Sequence, residues 1–282
     1  MEPEKIKRLD FKQDEFPQPE YIPLKYPILL CHGFGAILSM LLPSPLHHPC
    51  MFLREHGIVA FAPNIAPYVS LEVGAAAWVK IIGKVIRMTG SPKVNVIAHS
   101  MAGLSLRYAI HKVKLAGTIS SLTTVASPHH GTSLATMAIE SPKQAFETFQ
   151  KLSDYVGNKI YPTLESDVMG AIKQLTPDYV AKFNREITDV RGVSYYSVSA
   201  ASGKETENNI GLIMIPYNRY IYAREGQNDG FVSERSAHWG RHIGFTNLSH
   251  LGQLNVNLPK KYLKNWETLW MDIVKNLSNE GH

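Results

Sequence analysis

The sequence predicts an α/β fold: a mostly parallel sheet covered by helices on both faces. Three observations carry this reading. Buried-looking apolar runs alternate with segments of helical periodicity. Three loops rich in His, Ser and Gly begin at the ends of such runs, at His32–Gly35, His99–Met101 and Ser127–Thr132. The 282 residues, 44% apolar and 19% charged, suffice for a large core, and no Gly/Ser linker, charge block or internal repeat divides them.

Residues 1–25 read as an extended arm, because Pro17, Pro19 and Pro23 oppose helix. Residues 26–282 read as one domain. "YPILLCHGFG" is a short buried strand that ends in a glycine-containing loop, and "GIVAFAPNI" (57–65) is a second strand. In "LEVGAAAWVKIIGKVIRMTG" the residues Trp78, Ile82 and Val85 share one helical face, and Gly90 supplies a stop. "KVNVIAHS" reads as strand and "AGLSLRYAIHKV" as helix. "SLTTVAS" (121–127) and "GVSYYSVSA" (192–200) are strands rich in β-branched and aromatic residues. In such sheets ligands bind beyond the carboxyl ends of the strands.

Residues 133–190 interrupt the alternation with a helical insertion. In "SPKQAFETFQKLSDYVG", Ser141 reads as an N-cap and Pro142 as the first helical residue. Ala145, Phe149, Leu152 and Val156 form a stripe with Phe146 beside it, and Gly157 ends the helix. A second helix is expected around 164–174, and a third after Thr176 in "TPDYVAKFN". Two readings stay open: a packed helical layer, or a mobile cover over an apolar cleft.

The formal charge of +5 is spread along the chain. It fits a solvated basic surface with weak attraction to anionic membranes. Without a basic and aromatic stripe, nucleic acid is not an expected partner. Cys31 reads as a buried apolar residue, a Cys31–Cys50 disulfide is not expected, and no cysteine spacing fits a metal. The charged start of the chain reads as neither signal peptide nor membrane span, so a cytoplasmic location and a mature secreted form both stay open.

The chemistry centres on "NVIAHSMAGLSLRYAI". Ser100 lies between a strand and a helix, as in a nucleophile elbow, but Ala98 and Ala102 stand where G-x-S-x-G has glycine. Each alanine adds one methyl group, which tightens an elbow without forbidding it. The alternative is a serine that only caps the helix. A nucleophilic serine in this arrangement needs Asp or Glu and then His downstream. Asp229 in "EGQNDGFVSERSAHWG", after the strand-like "IYAREG", and His250 in "FTNLSHLGQLN" satisfy that order. His47, His48, His129, His130, His238 and His242 compete as bases, with surface or structural roles as the simpler reading. No histidine pair is read as having helical i, i+4 metal spacing with a nearby carboxylate, so no metal ligand is assigned. An oxyanion needs two donors. Met101 N–H follows the nucleophile, and Phe34 N–H is the choice from "LLCHGFGA", where His32-Gly33 is otherwise a plain strand-ending turn.

Taken together, "YPILLCHGFG", "KVNVIAHSMAGLSLRY", "VASPHHGTSLA", "LTPDYVAKFN", "GVSYYSVSA", "NDGFVSERSAHWG" and "HLGQLN" resemble bacterial triacylglycerol lipases of the Pseudomonas–Burkholderia–Proteus group over residues 26–256. The resemblance implies an α/β-hydrolase fold, Ser100 as nucleophile, Asp229 as orienting acid, His250 as base, and Phe34 and Met101 as oxyanion donors. It also implies that part of 133–175 is an amphipathic lid opening at lipid interfaces. Leu38, Leu41, Leu42, Phe146 and Phe149 are the candidate acyl-binding walls. The expected substrate is an ester or lipid, with transient contact at lipid interfaces, and the oligomeric state is left open. The expected activity is carboxylic ester hydrolysis, most concretely by a triacylglycerol lipase. The alternatives are a carboxylesterase on soluble short-chain or aryl esters and a non-catalytic lipid- or protein-binding member of the fold. This chain departs from the family pattern at Ala102, whereas Ala98 also occurs in related Bacillus lipases. The family's calcium calls for an aspartate two residues after the catalytic histidine, where this chain has Gly252, and another near "ETENNIG". No calcium and no other cofactor is therefore expected. The family's disulfide has no counterpart.

Overall fold

The strand-like runs of the sequence become neighbours in a single parallel sheet. The computed structural model describes residues 22–33, 44–66, 68–141 and 167–282. In chain order these hold β1 (Ile28–Cys31), α1 (His47–Glu55), β2 (Ala60–Phe61), α2 (Leu71–Thr89), β3 (Val94–His99), α3 (Ala102–Val113) and β4 (Ile119–Val125). The second half adds α4 (Ser133–Glu140), α5 (Val168–Lys173), α6 (Pro177–Glu186), β5 (Ser194–Ala200), α7 (Ile215–Glu225), β6 (Arg241–Thr246) and α8 (Leu263–Asn279). The strand order is β2-β1-β3-β4-β5-β6, and every pairing is parallel.

Burial on both faces explains the near-continuous apolar runs. Ile28 and Leu30 of β1 face one side, with Ile97, Val125 and Val198, against Trp266, Trp270, Ile273 and Leu277 of α8. Leu29 and Cys31 face the other side, with Val94, Val96 and Ala98, against Trp78, Ile82 and Val85 of α2 and Leu106 and Ile110 of α3. Helix α2 starts where the Ser70 side chain accepts the Val73 N–H, and it stops at Gly90, whose φ is +67°. Both cysteines are buried free thiols. No described helix is long and apolar enough to cross a membrane.

Several elements differ from the sequence reading. "IYAREG" belongs to α7, not to a strand: Pro216 sits in the first turn and Ile221 is the buried apolar anchor. The strand expected over 57–65 contracts to Ala60–Phe61. Ser141 is the C-cap of α4 rather than an N-cap, because the chain is already helical from Ser133. Thr176 precedes α6 as expected, but its hydroxyl donates to the Lys173 carbonyl and caps nothing. The helix expected after Ser141, with Phe146 and Phe149, lies outside the described residues. The described part of the insertion is packed. Val180 and Phe183 of α6 lie against Leu71, Met101 and Leu104, while Ala135 and Ala138 of α4 meet Ile172 of α5.

The closest approach of α3 to the sheet falls at Gly103. A Cβ there would lie 2.3 Å from Ser127 Oγ and 2.9 Å from Thr124 Cγ2. Ala98 and Ala102 instead sit in the core face that holds Trp78. Both are fully buried there. Ala102→Gly is therefore expected to destabilise, through lost burial and helix propensity, by about 1–2 kcal/mol, or roughly 2–6 °C in Tm. Gly103→Ala is expected to cost at least as much through overpacking. Scanning calorimetry of both variants checks this, and a Tm gained by Ala102→Gly would contradict it.

Candidate active site

Between β3 and α3 the backbone bends at Ser100, whose φ is +59°. A non-glycine residue there carries about 1–2 kcal/mol of strain. The bend is held from both sides. Ser100 N–H donates to the Val125 carbonyl at 2.9 Å, and Ser100 O accepts from Gly103 N–H at 3.1 Å. His99 and Met101 are buried while Ser100 is only half-buried. This separates elbow from cap. A capping serine has extended backbone and accepts an N–H of the first turn, whereas here Met101 holds the N-cap position and α3 has no side-chain cap.

Met101 N–H stands at the start of a helix, where backbone donors have no intrahelical acceptor. The loop after β1 lies directly against it: a Cβ on Gly33 would fall 2.7 Å from Met101 N and 2.9 Å from His99 O. Glycine at 33 is therefore a requirement of the close approach. His32 fixes this loop to the segment after β2, its Nε2 accepting the Ile65 N–H at 3.2 Å. Burial, opposed in part by the Gly33 backbone contact, pushes the His32 imidazole down to about 4, so it is neutral. Phe34, Leu38, Leu41, Leu42, Phe146 and Phe149 lie outside the described residues.

Asp229 and His250 meet although 21 positions apart, with His250 Nδ1 2.7 Å from Asp229 Oδ2. The main chain repeats the link, His250 N–H donating to Asp229 O at 3.0 Å. Asp229 Oδ1 accepts the N–H groups of Phe231 at 3.0 Å and Val232 at 2.9 Å. Oδ2 also accepts Gln253 Nε2 at 2.9 Å. Burial alone would raise this carboxyl, but His250 and the donated N–H bonds outweigh it and hold Asp229 below the usual carboxylate range. The acid loop is set by α7. Asn218 Nδ2 donates to Ser202 O at 2.8 Å and Asn228 Oδ1 at 2.9 Å, and Asn228 Nδ2 returns to Asn218 O at 3.0 Å.

Gln253 was not singled out in the sequence. Its Oε1 lies 2.9 Å from His99 Nε2 while its amide reaches Asp229, so it links the acid to the residue before Ser100. Burial and the neighbouring His250 push His99 down to about 3, which leaves it neutral and donating to Gln253. The His99 ring lies 4.5 Å from the His250 ring, centroid to centroid. The Gln253 carbonyl accepts Trp266 Nε1 at 3.0 Å and Trp270 Nε1 at 3.2 Å, which ties the network to α8. Only the paired tryptophans hint at this in the sequence. The structure thus joins Asp229 and His250 directly, and the residue before Ser100 holds its ring 4.5 Å from that of His250, inclined by 48°.

The competing histidines separate. His47 and His48 are exposed at the start of α1. His129 is buried, its Nε2 2.9 Å from Thr124 Oγ1 and its Nδ1 3.3 Å from an Arg107 nitrogen, a structural role. His238 and His242 gather beside Glu234. Their spacing of four, with a carboxylate four residues earlier, corrects the reading that no histidine pair has i, i+4 spacing near a carboxylate.

At the positions where the family pattern has calcium aspartates, Gly252 donates its N–H to Ser249 Oγ at 3.1 Å and its carbonyl accepts from Asn255 N–H at 3.0 Å. In "ETENNIG", Glu205 accepts the Tyr222 hydroxyl and Glu207 accepts the Asn247 amide at 3.3 Å.

Because the folded Asp229 lies below its unfolded value near ~3.9, its stabilisation is present above about pH 4 and is lost as pH falls through the folded value. The Tm difference between wild type and Asp229→Asn is expected to narrow between pH 5 and pH 3. A gap unchanged across that range would contradict this linkage.

No family model matches the chain. Two relatives align along most of it. Triacylglycerol lipase 2 of Saccharomyces cerevisiae is 29% identical over 83% of this chain and 82% of its own length. The triacylglycerol lipase of Pseudomonas fragi is 29% identical over 82% and 88%. Among solved structures, a metagenomic carboxyl esterase superposes with a TM-score of 0.73 at 18% identity, over 94% of this chain and 79% of its own. Mature Bacillus licheniformis lipase gives 0.64 at 18% identity, over 90% and 94%. The resemblance read from the motifs therefore extends along most of the sequence, and the chain adopts the α/β-hydrolase fold of these lipases and esterases.

Proposed function

We propose that this chain hydrolyses carboxylic esters through an acyl-enzyme on Ser100, with acylglycerols as its substrate class. The observation that carries the reading is the left-handed backbone of Ser100, φ +59°, directly after His99, whose ring lies 4.5 Å from that of His250 in the buried Asp229–His250 pair. The similarity to triacylglycerol lipases supports the substrate class.

Ser100 Oγ attacks the ester carbonyl. His250 takes its proton at Nε2, because Nδ1 is committed to Asp229. The buried carboxylate selects the Nδ1–H tautomer and stabilises the imidazolium. Met101 N–H and Phe34 N–H receive the oxyanion, and removing one such donor costs roughly 3 kcal/mol in the barrier. His250 then protonates the departing alcohol. Water, activated by the same imidazole, releases the acid. Every proton moves between His250, Ser100, the substrate and water, and the scheme calls for no calcium and no other catalytic cofactor. Contact with a lipid interface is part of the proposal, and the insertion after β4 is the element that would make it.

Hydrolysis of p-nitrophenyl butyrate is expected to vanish in Ser100→Ala and to fall about 10⁴-fold in kcat in Asp229→Asn, where the imidazole takes the wrong tautomer. Activity retained by Ser100→Ala would end the ester-hydrolase reading. On tributyrin, the rate is expected to climb steeply once the substrate exceeds its solubility. A plain hyperbola through that point would assign the chain to soluble short-chain esters instead.

A further inference from the structure

Glu234, His238 and His242 follow one another at four-residue intervals without sharing a helix. Glu234 precedes the single 3-10 turn Arg235–Ala237, His238 follows it, and His242 is the second residue of β6. One ligand atom of each lies within 4.8 Å of the other two. His238 Nε2 is 2.6 Å from Glu234 Oε1. His242 Nε2 is 2.9 Å from Ser199 Oγ, which itself donates to Glu234 Oε1 at 3.3 Å. The two imidazoles overlap with centroids 3.9 Å apart and planes inclined by 31°. His238 Nε2 thus meets Glu234 Oε1 directly, and His242 Nε2 is linked to the same oxygen through the Ser199 hydroxyl.

The backbone around the three groups is fixed. Glu234 N–H donates to Gln227 O at 2.8 Å. Trp239 N–H donates to Ser197 Oγ at 3.0 Å, and His242 pairs with Ser197 in the sheet. Access is open, since the side chains of His238 and Glu234 are 41% and 27% exposed. Stacked imidazoles repel as cations, yet as neutral ligands they share a metal readily. Two histidines and a carboxylate are a common ligand set for zinc-class ions, with water completing a tetrahedron. Zinc bonds of about 2.0–2.1 Å at tetrahedral angles place donors about 3.4 Å apart. To reach that spacing, His238 Nε2 and Glu234 Oε1, now 2.6 Å apart, separate by under about 1 Å, and the other separations, all within 4.8 Å, adjust by up to about 1.4 Å.

We propose that Glu234, His238 and His242 bind one zinc-class divalent cation, which fastens the loop carrying Asp229 to β6, the strand that leads to His250. The site is structural and outside the Ser100, Asp229 and His250 set. It stands whether or not the chain is an ester hydrolase. The protons on Nε2 are displaced to Nδ1 or to solvent on binding, and the metal takes the two freed lone pairs and a carboxylate lone pair.

Zinc titration of chelator-treated protein against a chromophoric competitor tests this. The wild type is expected to bind one zinc per chain at micromolar or tighter Kd, with a Tm raised by about 5 °C at saturation. X-ray absorption is expected to show two imidazoles in the first coordination sphere. His242→Ala and His238→Gln are each expected to weaken binding at least tenfold, and either variant alone suffices if the other does not fold. His48→Ala, which alters an exposed histidine elsewhere, is expected to leave the affinity unchanged. No stoichiometric zinc at 100 µM, or wild-type affinity in a folded His242→Ala or His238→Gln, would overturn the proposal.

Discussion

The backbone bend at Ser100 is the constraint on which the rest depends. A non-glycine residue in the left-handed region is unfavourable alone, so neighbours must impose it. Val125 at the end of β4 accepts the Ser100 N–H, and the Ser100 carbonyl is taken by Gly103. Gly33 lets the loop after β1 reach the Met101 nitrogen, and Gly103 lets α3 press on Ser127 and Thr124. Glycine is thus placed where backbone meets a neighbour. The two positions flanking the serine tolerate alanine because their methyls point into the core face containing Trp78. With alanine at 98 and 102, the tight contact of α3 falls at Gly103, and the turn at Ser100 is kept.

The second constraint is a buried negative charge. Each oxygen of Asp229 accepts two hydrogen bonds, from Phe231 and Val232 on one side and from His250 and Gln253 on the other. That satisfaction keeps the carboxylate ionised where burial opposes it. The same bonds fix the His250 ring. Gln253 extends the network to His99 and, through its carbonyl, to Trp266 and Trp270 of α8. A helix remote from Ser100 in sequence is thereby a support of the site.

Legibility in the sequence followed the range of the signal. β3, α3, α2 and β5 are written in local periodicity, and so is the elbow, because strand, serine and helix are contiguous. Asp229 and His250 were readable from chain order and motif, and the structure joins them. "IYAREG" was misread because its aromatic and β-branched residues favour strand locally, while tertiary contacts at Asn218 and Ile221 make it helix. The role of Gln253 is a set of long-range contacts that no local pattern encodes. The spacing of Glu234, His238 and His242 was visible, but on a turn and a strand rather than on one helix it did not match the pattern sought.

The most direct measurement is covalent labelling with a fluorophosphonate, followed by mass spectrometry of the peptides. The account predicts one adduct per chain, on Ser100, formed rapidly in the wild type and at a rate lowered by orders of magnitude in His250→Ala. An intact protein that takes up no label, or takes it at another residue while Ser100 stays free, would contradict it.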